Sequence, residues 1–538
     1  MDKNLALTKT IVSLFRFNGL SIKGDACSYL TLQLTPIDIS EQRIWLEKII
    51  EYLQQKKALS NPIVEKSHVI TAVEECCKLE TITTDDIINI IDVFDVPEFQ
   101  YSSDCKKFIP ILKNNSFLFD LAESKIKKFN NRYMILKQRI LRHELLSTGS
   151  AKDSMNRVQI HDIDSLLSCS SKNFNVVIFG LLSQLEEGKY YLEDTTGILP
   201  LDLSQAIILI IFLKQSWHVY HNGLFTENCL ILVEGNFSDG ILHVQGVAMP
   251  PPESSHLSRT YFGDADTFGK HSNLPLKTSS RLLKMEKDND EAMIVFLADI
   301  WLDDSKVVEK LKLLFAGYNE YSPIAIILMG NFLSKPYGNK HSHILREKFK
   351  ELAEIIIQYS SLLRETLFII VPGPTDSPFP NILPRPSLPS FIVEEFAKLI
   401  PKSVFGTNPC RIQYCTQEII VFREDIFTKM CRNSIYFPEF GDVSVHFVKT
   451  ILSQCYLVPV PLSICPVYWD KTSALTLYPL PDVLVIADQR TSFNINNNDC
   501  VIFNPSSFSS RKYCFKVYFP ASKFVEDSQI VEEQQSPD

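Results

Sequence analysis

The chain has 538 residues, of which 45% are hydrophobic and 22% are charged. A chain of this length exceeds what one hydrophobic core supports, so we expect several folded domains, and the composition excludes a disordered protein. The formal net charge of −9 excludes sequence-independent nucleic-acid binding by the whole surface, because such binding requires an excess of cations.

Export, membrane insertion and zinc-ribbon chemistry are disfavoured by the sequence. The N-terminal residues lack the apolar stretch and cleavage site of a signal peptide. The longest apolar run, AIILIIFL at 206–213, is far shorter than the roughly 20 residues that cross a bilayer. The 13 cysteines include no C-x-x-C pair, which predicts reduced thiols and not a metal site.

Residues 1–95 are predicted to form a small helical module. Apolar side chains recur at helical spacing from Leu7 to Phe15, from Leu46 to Leu53 and from Val69 to Cys77. A further stripe from Ile87 to Phe94 predicts another helix. None of these segments has the spacing of a catalytic motif, so we expect a docking or scaffold unit.

Residues 96–171 are predicted to be a linker that contains one basic amphipathic helix. The segment 125–143 has an apolar stripe and seven Lys or Arg residues but no acid. Its basic face could contact a phosphate backbone. In an acidic chain we expect that face to be solvated or paired with an acidic neighbour, and the Ser-rich stretch at 146–172 completes the predicted linker.

Residues 172–292 are predicted to hold an OB-type β-barrel and a polar connection. Five short strand-like segments follow one another from Phe174, a pattern typical of such barrels. Between residues 173 and 247 there are eight acids and two bases, a surplus of six negative charges. Because single-strand binding needs a cationic groove, we interpret Tyr190 and Tyr191 as barrel or interface residues and not as base-stacking groups.

From residue 293 onward the sequence alternates strands and helices. The apolar segments MIVFLAD, IAIILMGNF and LFIIVPG each precede an amphipathic helical segment. This alternation predicts a sheet that is buried on both faces and carries its polar residues at the carboxyl ends of the strands. We predict one α/β domain over 293–525 and a disordered acidic tail over 526–538.

The polar residues that follow these strands fall at the positions of the metal ligands in a calcineurin-like phosphoesterase. Such a site needs a bridging carboxylate and several histidines to hold two cations about 4 Å apart. Here a tryptophan stands in place of the first histidine and an amide in place of the bridging acid, and only three histidines follow residue 293, in predicted helical or polar segments. The corresponding positions are Asp299, Trp301, Asn331, Ser334, Pro374, Thr375, Asp376 and Asp488.

We therefore predict a calcineurin-like phosphoesterase fold that lacks its metal ligands, with no catalytic residue, no metal site and no cofactor. Because Asn331 is neutral, Asp299, Asp376 and Asp488 are not expected to hold a compact pair of cations. A single weakly bound Mg²⁺ on these three acids stays open. For Asp299 we favour a structural role, in which its carboxylate caps the following helix through backbone N–H groups.

Several long segments are more specific than these single positions. They include KYYLEDTTGILPLDLS, FLADIWLDD, VPGPTDSPFPNILPRP and FGTNPCRIQYCTQEIIVFRED, and they are densest between Ser403 and Trp469. They resemble the B subunits of eukaryotic replicative DNA polymerases, above all the polymerase epsilon branch of that family. One departure from the family is the segment IILIIFLKQSWHV at 207–219, which is inserted between LDLS and GLFTEN.

The resemblance implies a non-catalytic assembly subunit of the polymerase epsilon holoenzyme that acts in the nucleus. It implies that the OB and phosphoesterase-like domains bind the zinc-bearing C-terminal region of the catalytic subunit and that the N-terminal module binds replicative helicase components. Small histone-fold subunits would be indirect partners, DNA would be reached only through the complex, and no membrane would be involved.

Two alternative functions are weighed against this one. The first is an active metal-dependent phosphodiesterase or 3′-to-5′ exonuclease, and Trp301 and Asn331 argue against it. The second is a single-strand binder that acts through the OB fold, and the surplus of acids in that segment argues against it.

Overall fold

The structure, a computed structural model, describes most of the chain. Statements about side chains and elements below refer to these residues: 2–34, 42, 45–46, 49–50, 52–53, 63–78, 87–111, 121–143, 146, 158–168, 174–204, 223–263, 265–269, 277, 279–438, 441–497 and 499–530.

The chain folds as two compact units, residues 1–87 and residues 88–538. In the first unit, apolar side chains at helical spacing, such as Ile11 and Phe15, are fully buried in one core, because that spacing places them on one face of their helix. The elements of this unit are helices α1 (Asp2–Phe17), α2 (Gly24–Leu34) and α3 (Lys66–Lys78) and the parallel strands β1 (Ser21–Ile22) and β2 (Ile63–Val64).

The second unit begins with a strand where the sequence predicted a helix. Residues Ile88–Ile91 form strand β3, which pairs antiparallel with Cys410–Tyr414, and a 3-10 helix follows at Val93–Asp95. The prediction of a helix from Ile87 to Phe94 is therefore wrong. The β-branched isoleucines of this segment favour extended backbone, and pairing with a strand far away in the sequence decides the outcome.

The segment predicted as a linker is folded in its described parts. A hairpin and a long helix come first, and a short strand and helix follow. Ile163 and Leu166 of that short helix are fully buried in the core of the adjacent barrel, so this region packs and does not merely connect. The elements are β4 (Glu98–Ser102), β5 (Lys107–Ile111), α4 (Ala122–Arg142), β6 (Ile160–His161) and α5 (Ile163–Leu167).

A closed β-barrel follows, at the five segments where the sequence predicted strands. The order is β11-β12-β9-β8-β7, and β7 pairs back to β11, which closes the sheet. In β12 buried and solvent-facing side chains alternate, as expected for a strand with one face on a core. The barrel strands are β7 (Phe174–Glu186), β8 (Lys189–Glu193), β9 (Ile198–Asp202), β11 (Leu230–Ser238) and β12 (Ile241–Ala248), whereas β10 (Phe225–Thr226) pairs with Ser434–Tyr436 outside the barrel.

The remainder of the second unit is an α/β sandwich of two six-stranded sheets, counted over the described residues. Strands β13 to β16 run parallel in the first sheet, with helices between them, which agrees with the predicted alternation. The rings of Phe296 on β13 and Phe503 on β22 meet edge to face at 5.1 Å, so the two sheets pack against each other. The first sheet has the order β16-β15-β14-β13-β23-β24, and the second has the order β21-β22-β20-β18-β17-β3.

The bounds of these later elements complete the fold. The helices are α6 (Ser255–Thr260), α7 (Ser280–Asp288), α8 (Ser305–Tyr318), α9 (His341–Ile356), α10 (Ser360–Glu365), α11 (Ser390–Leu399), α12 (Ile426–Arg432) and α13 (Val443–Gln454). The strands are β13 (Ile294–Ala298), β14 (Ala325–Met329), β15 (Leu367–Val371), β16 (Ser403–Phe405), β17 (Cys410–Tyr414), β18 (Gln417–Arg423), β19 (Ser434–Tyr436), β20 (Val483–Ala487), β21 (Phe493–Asn497), β22 (Cys500–Asn504), β23 (Cys514–Phe519) and β24 (Phe524–Gln529).

The predicted tail begins too early in the sequence. Residues Phe524–Gln529 form β24, which pairs antiparallel with β23, and Lys516 of β23 forms an ion pair with Asp527 at 2.6 Å. The prediction of disorder is therefore wrong for residues 526–529. Residues 531–538 and the segment 207–219 lie outside the described residues. No helix in the described parts of the chain is long and apolar enough to cross a bilayer.

Helix α4 buries cations that the sequence analysis placed on a solvated face. Lys128, Arg132 and Arg139 are only 4%, 4% and 3% exposed. Arg132 Nη2 donates to the carbonyl oxygen of Asn228 at 3.1 Å, and Arg139 Nη1 donates to Cys455 Sγ at 2.9 Å. The expectation that the basic face is solvated or paired with an acidic neighbour is wrong at these three positions, whereas Lys137 and Arg142 of the same helix pair with Asp162 at 2.8 Å and Glu253 at 2.7 Å. Arg132 joins the helix to Asn228 in the barrel region and Arg139 joins it to Cys455 in the sandwich region, and neither cation faces a phosphate backbone.

Lys128 is expected to make the stability of the protein depend on pH. Burial, together with the neighbouring charge of Arg132, lowers the pKa of Lys128 to about 7, whereas a lysine in an unfolded chain has a pKa of about 10.4. Between these values the unfolded state binds more protons. The free energy of unfolding should therefore rise with pH above about 7 and level off above about 10.

Lys128→Met should remove this pH dependence of the free energy of unfolding, because methionine does not titrate. The variant should have a higher urea midpoint than the wild type, and the difference should be largest at neutral pH and below. The matched control is Lys127→Met, which changes an exposed lysine of the same helix. Urea midpoints of the three proteins across the pH range test the prediction. Equal pH slopes in the wild type and in Lys128→Met would contradict it.

Candidate functional site at the strand ends

The carboxyl ends of strands from both sheets meet at one edge of the sandwich. Arg423, the last residue of β18, contacts the residues that follow β13 and β14 and the last residue of β20. Three of the eight positions predicted from the phosphoesterase pattern, Asp299, Asn331 and Asp376, lie here. We call Asp299, Gly330, Asn331, Asp376 and Arg423 the strand-end cluster.

Arg423 lies at the centre of the strand-end cluster and is fully buried. Its Nη2 atom donates to Asp299 Oδ1 at 2.6 Å, and its Nε atom donates to the carbonyl oxygen of Gly330 at 2.6 Å. Its Nη1 atom donates to Asp425 Oδ1 at 3.0 Å. Burial alone would lower the pKa of Arg423, but the carboxylates of Asp299 and Asp425 outweigh it and raise that pKa. The guanidinium therefore stays charged inside the protein.

Asp299 joins the first sheet to this guanidinium. It directly follows β13 with a left-handed backbone (φ +53°), and its Oδ1 atom also accepts a hydrogen bond from the Asn331 backbone N–H at 3.0 Å. The following helix, α8, is capped by Asp304, whose Oδ1 atom accepts from Lys306 N–H at 2.9 Å. The prediction that Asp299 caps this helix is therefore wrong.

Asp376 and Asn331 hold the loops after β14 and β15 together. Asp376 is fully buried, and its two carboxylate oxygens accept from the backbone N–H groups of Phe332 and Gly373, each at 2.7 Å. Burial raises the pKa of Asp376 even though these hydrogen bonds oppose the shift. The Asn331 side-chain oxygen accepts from Thr375 N–H at 3.1 Å, so the amide that replaces the bridging acid connects the same two loops.

Asp488 lies next to the cluster, and its carboxylate also accepts hydrogen bonds from nearby backbone N–H groups. It is 2% exposed, and its carboxylate accepts from Thr428 N–H at 3.2 Å and from Arg490 N–H at 3.0 Å. Burial and then the nearby charge of Asp425 raise the pKa of Asp488.

The remaining predicted positions lie outside the cluster. Ser334 and Thr375 are exposed, and Trp301 and Pro374 are half-buried. Ser334 Oγ donates to Asp303 Oδ2 at 2.6 Å, and Trp301 donates its backbone N–H to Ser509 Oγ at 3.0 Å. The structure therefore brings Asp299, Asn331 and Asp376 together and leaves these four at the rim.

The residues at the strand ends do not fit a two-metal centre. Such a centre needs carboxylate oxygens that are open to cations. Here Asp299 Oδ1 already accepts hydrogen bonds from the Arg423 guanidinium and a backbone N–H, and the two oxygens of Asp376 accept from two backbone N–H groups. His341 belongs to α9 and His446 to α13. Within the described ranges, no group of three or more His, Cys, Asp or Glu side chains is placed to hold a metal ion.

Arg423 is the central residue that the sequence analysis missed. It follows the apolar run IIVF at the end of a buried strand, QEIIVFR, and a charged residue in such a position needs a buried partner of opposite sign. That signal identifies a candidate, but not its partner, because Asp299 is 124 residues away in the sequence.

Three family models match the chain. The model for the B subunits of DNA polymerases alpha and epsilon matches residues 294–494, and an OB-fold domain of DNA polymerase epsilon subunit 2-like proteins matches residues 122–251. A model of the N terminus of DNA polymerases epsilon matches residues 3–76. The second of these models confirms the OB-type barrel predicted from the strand pattern.

Relatives are similar over nearly the whole chain. DNA polymerase epsilon subunit 2 of Bos taurus is 45% identical over 97% of this chain and 98% of its own length. The proteins of the same name from Homo sapiens and Drosophila melanogaster are 44% and 38% identical, over 97% and 98% of this chain and 98% and 99% of their own lengths. Among solved structures, one from work on an archaeal phosphodiesterase covers 44% of this chain and 99% of its own, with 10% identity and a TM-score of 0.26.

Proposed function

Because the chain belongs to the family of DNA polymerase epsilon B subunits, we propose that it is a non-catalytic assembly subunit of the polymerase epsilon holoenzyme and acts in the nucleus. Membership itself makes it an accessory subunit with a role in DNA replication. The observation that supports a non-catalytic role is Arg423, whose guanidinium is bonded to Asp299 where a two-metal phosphoesterase would bind a cation. On this basis the sandwich is a calcineurin-like phosphoesterase domain that has lost its metal site.

We further propose that the barrel and the sandwich together bind the zinc-bearing C-terminal region of the catalytic subunit. Contacts between these two parts support one shared surface. The Gln454 side chain on α13 accepts from Leu230 N–H and donates to Leu230 O, each at 2.8 Å, and β10 of the barrel region pairs with β19 of the sandwich region. Parts held together in this way can present one rigid face to a partner.

The N-terminal unit is proposed to bind replicative helicase components, with small histone-fold subunits as indirect partners. The division of the chain at residues 87 and 88 supports a second role for this unit, since a separately folded module can bind one partner without disturbing another. DNA is proposed to be reached only through the complex, because the barrel segment carries a surplus of acids and the buried cations of α4 face the protein interior.

Deletion of residues 1–87 should leave recovery of the catalytic subunit intact and weaken recovery of helicase components. The cut follows the boundary between the two compact units and keeps β3, which pairs with β17 in the second unit. Affinity purification of tagged full-length and truncated chains, with partners identified by mass spectrometry, tests this division. A truncated chain that folds cooperatively but loses the catalytic subunit would overturn it.

The purified full chain should hydrolyse neither bis-p-nitrophenyl phosphate nor a labelled DNA 3′ end in the presence of Mg²⁺ or Mn²⁺. The reason is that hydrogen bonds within the protein occupy Asp299 Oδ1 and both Asp376 oxygens, so no pair of metal ions can activate water. Asp299→Ala serves as the control for contaminating activity. Metal-dependent turnover that this substitution abolishes would support the alternative, an active phosphodiesterase or exonuclease.

A further inference from the structure

We propose that Arg423 is the resident cation of the former metal site, so that the strand-end cluster is a guanidinium site and not an emptied metal site. This inference goes beyond the assembly role, because it states what the acids of the site now bind. It rests on two observations. The residues present do not fit a two-metal centre, and the Arg423 side chain makes hydrogen bonds to several strand ends.

The acceptors around Arg423 come from four separate strand ends. Asp299 follows β13, Gly330 follows β14, Asp425 follows β18, and Ala487 ends β20. The guanidinium donates to the side chains of the two acids and to the backbone carbonyls of Gly330 and Ala487, the last at 3.3 Å. Two of these strands belong to the first sheet and two to the second, so one cation joins both sheets, as a metal ion does when its ligands come from several strands.

The geometry of these contacts suits a guanidinium better than a metal ion. The donor–acceptor distances from Arg423 lie between 2.6 and 3.3 Å, which are hydrogen-bond lengths, and the acceptors surround a planar fork of N–H groups. Mg²⁺ would need oxygen ligands at about 2.1 Å on all sides of an octahedron. The Oδ2 atom of Asp299 is buried and has no hydrogen-bond partner among the described residues, so this carboxylate binds the guanidinium through one oxygen alone.

Removal of the side chain should leave a site that selects free guanidinium. Arg423→Ala should lower the melting temperature of the full chain, and low millimolar guanidinium chloride should restore part of the loss in this variant without raising the melting temperature of the wild type. Sodium chloride at matched ionic strength should restore nothing, and neither should MgCl₂ or MnCl₂. The restoration should disappear in the double variant Asp299→Asn/Arg423→Ala, where the principal anion is neutral.

Restoration by Mg²⁺ or Mn²⁺ in place of guanidinium would show that the acids still form a metal site, and no restoration by either would show that the cluster has no cation selectivity. Both results overturn the proposal. If Arg423→Ala does not fold, Arg423→Lys decides the matter, because an ammonium keeps the charge but cannot reach all four acceptors. We expect its melting temperature to fall clearly below that of the wild type, and equal melting temperatures would overturn the proposal.

Discussion

Gly330→Ala should destabilise the protein by about 3 kcal/mol or more, in the upper range of single substitutions that overpack a core. A Cβ atom on Gly330 would lie 1.7 Å from Asp376 Oδ2 and 2.5 Å from the Gly373 backbone nitrogen. Asp376 cannot turn away at low cost, because both of its oxygens are hydrogen-bonded and the residue is fully buried. The added methyl group must therefore separate the loops after β14 and β15.

Gly317→Ala is the matched control for Gly330→Ala. Gly317 is an exposed residue of α8, and a Cβ atom there would meet nothing within 4 Å. Alanine at this position should stabilise the helix by about 0.5–1 kcal/mol. Urea-induced unfolding of the wild type and the two variants gives the comparison. If Gly330→Ala unfolds at the same urea concentration as the wild type, the two loops are free to move apart and the prediction is wrong.

On the proposed assembly role, the same contacts explain how the strand ends of a phosphoesterase-like fold can serve as part of a scaffold. In a two-metal enzyme the loops after neighbouring strands must leave their carboxylates open to the cations. Here Asn331 and Asp376 use their side chains to bind the backbone of the opposite loop, and Arg423 joins both loops to the second sheet. Side chains that would hold metal ions instead hold one loop to another, which supports a rigid edge and not a reactive one.

The sequence was sufficient to locate the strand ends. Apolar runs such as MIVFLAD and IAIILMGNF are long enough to be buried strands, and polar residues after parallel strands must meet at one edge. The sequence therefore predicts eight positions at this edge, of which the structure brings Asp299, Asn331 and Asp376 together. Local sequence also predicts the barrel, because five strand-like segments follow one another with Gly, Asp and Asn between them.

Side-chain contacts that depend on how the second sheet packs could not be predicted from local sequence. Arg423 meets Asp299 only because β18 lies in a different sheet whose carboxyl end reaches the same edge, and no local pattern specifies that packing. The capping role given to Asp299 failed for a different, local reason: Asp304 directly precedes α8 and takes the cap. The burial of Lys128 was missed because hydropathy patterns place every lysine at the surface, whereas its neighbours come from distant segments of the chain.

Asp376→Ala should cost roughly 2–6 kcal/mol of unfolding free energy, because it leaves two buried N–H groups without acceptors and each unsatisfied group costs about 1–3 kcal/mol. The two donors are Phe332 N–H and Gly373 N–H. Solvent does not reach this position, since Asp376 is fully buried. Asp376→Asn keeps one acceptor oxygen and should therefore lose less stability than the alanine variant.

Asp303→Ala is the control that separates the loss of a buried hydrogen-bond acceptor from the general effect of removing a carboxylate. Asp303 also accepts a backbone hydrogen bond, from Ser334 N–H at 2.8 Å, but it is only half-buried, so water can replace the lost acceptor and the cost should stay at about 1 kcal/mol. Urea midpoints give the ranking, and hydrogen exchange measured at single amides should accelerate at Phe332 and Gly373 only in the Asp376 variants. Equal losses for Asp376→Ala and Asp303→Ala, with unchanged exchange at Phe332, would mean that the two loops do not depend on Asp376 for their connection.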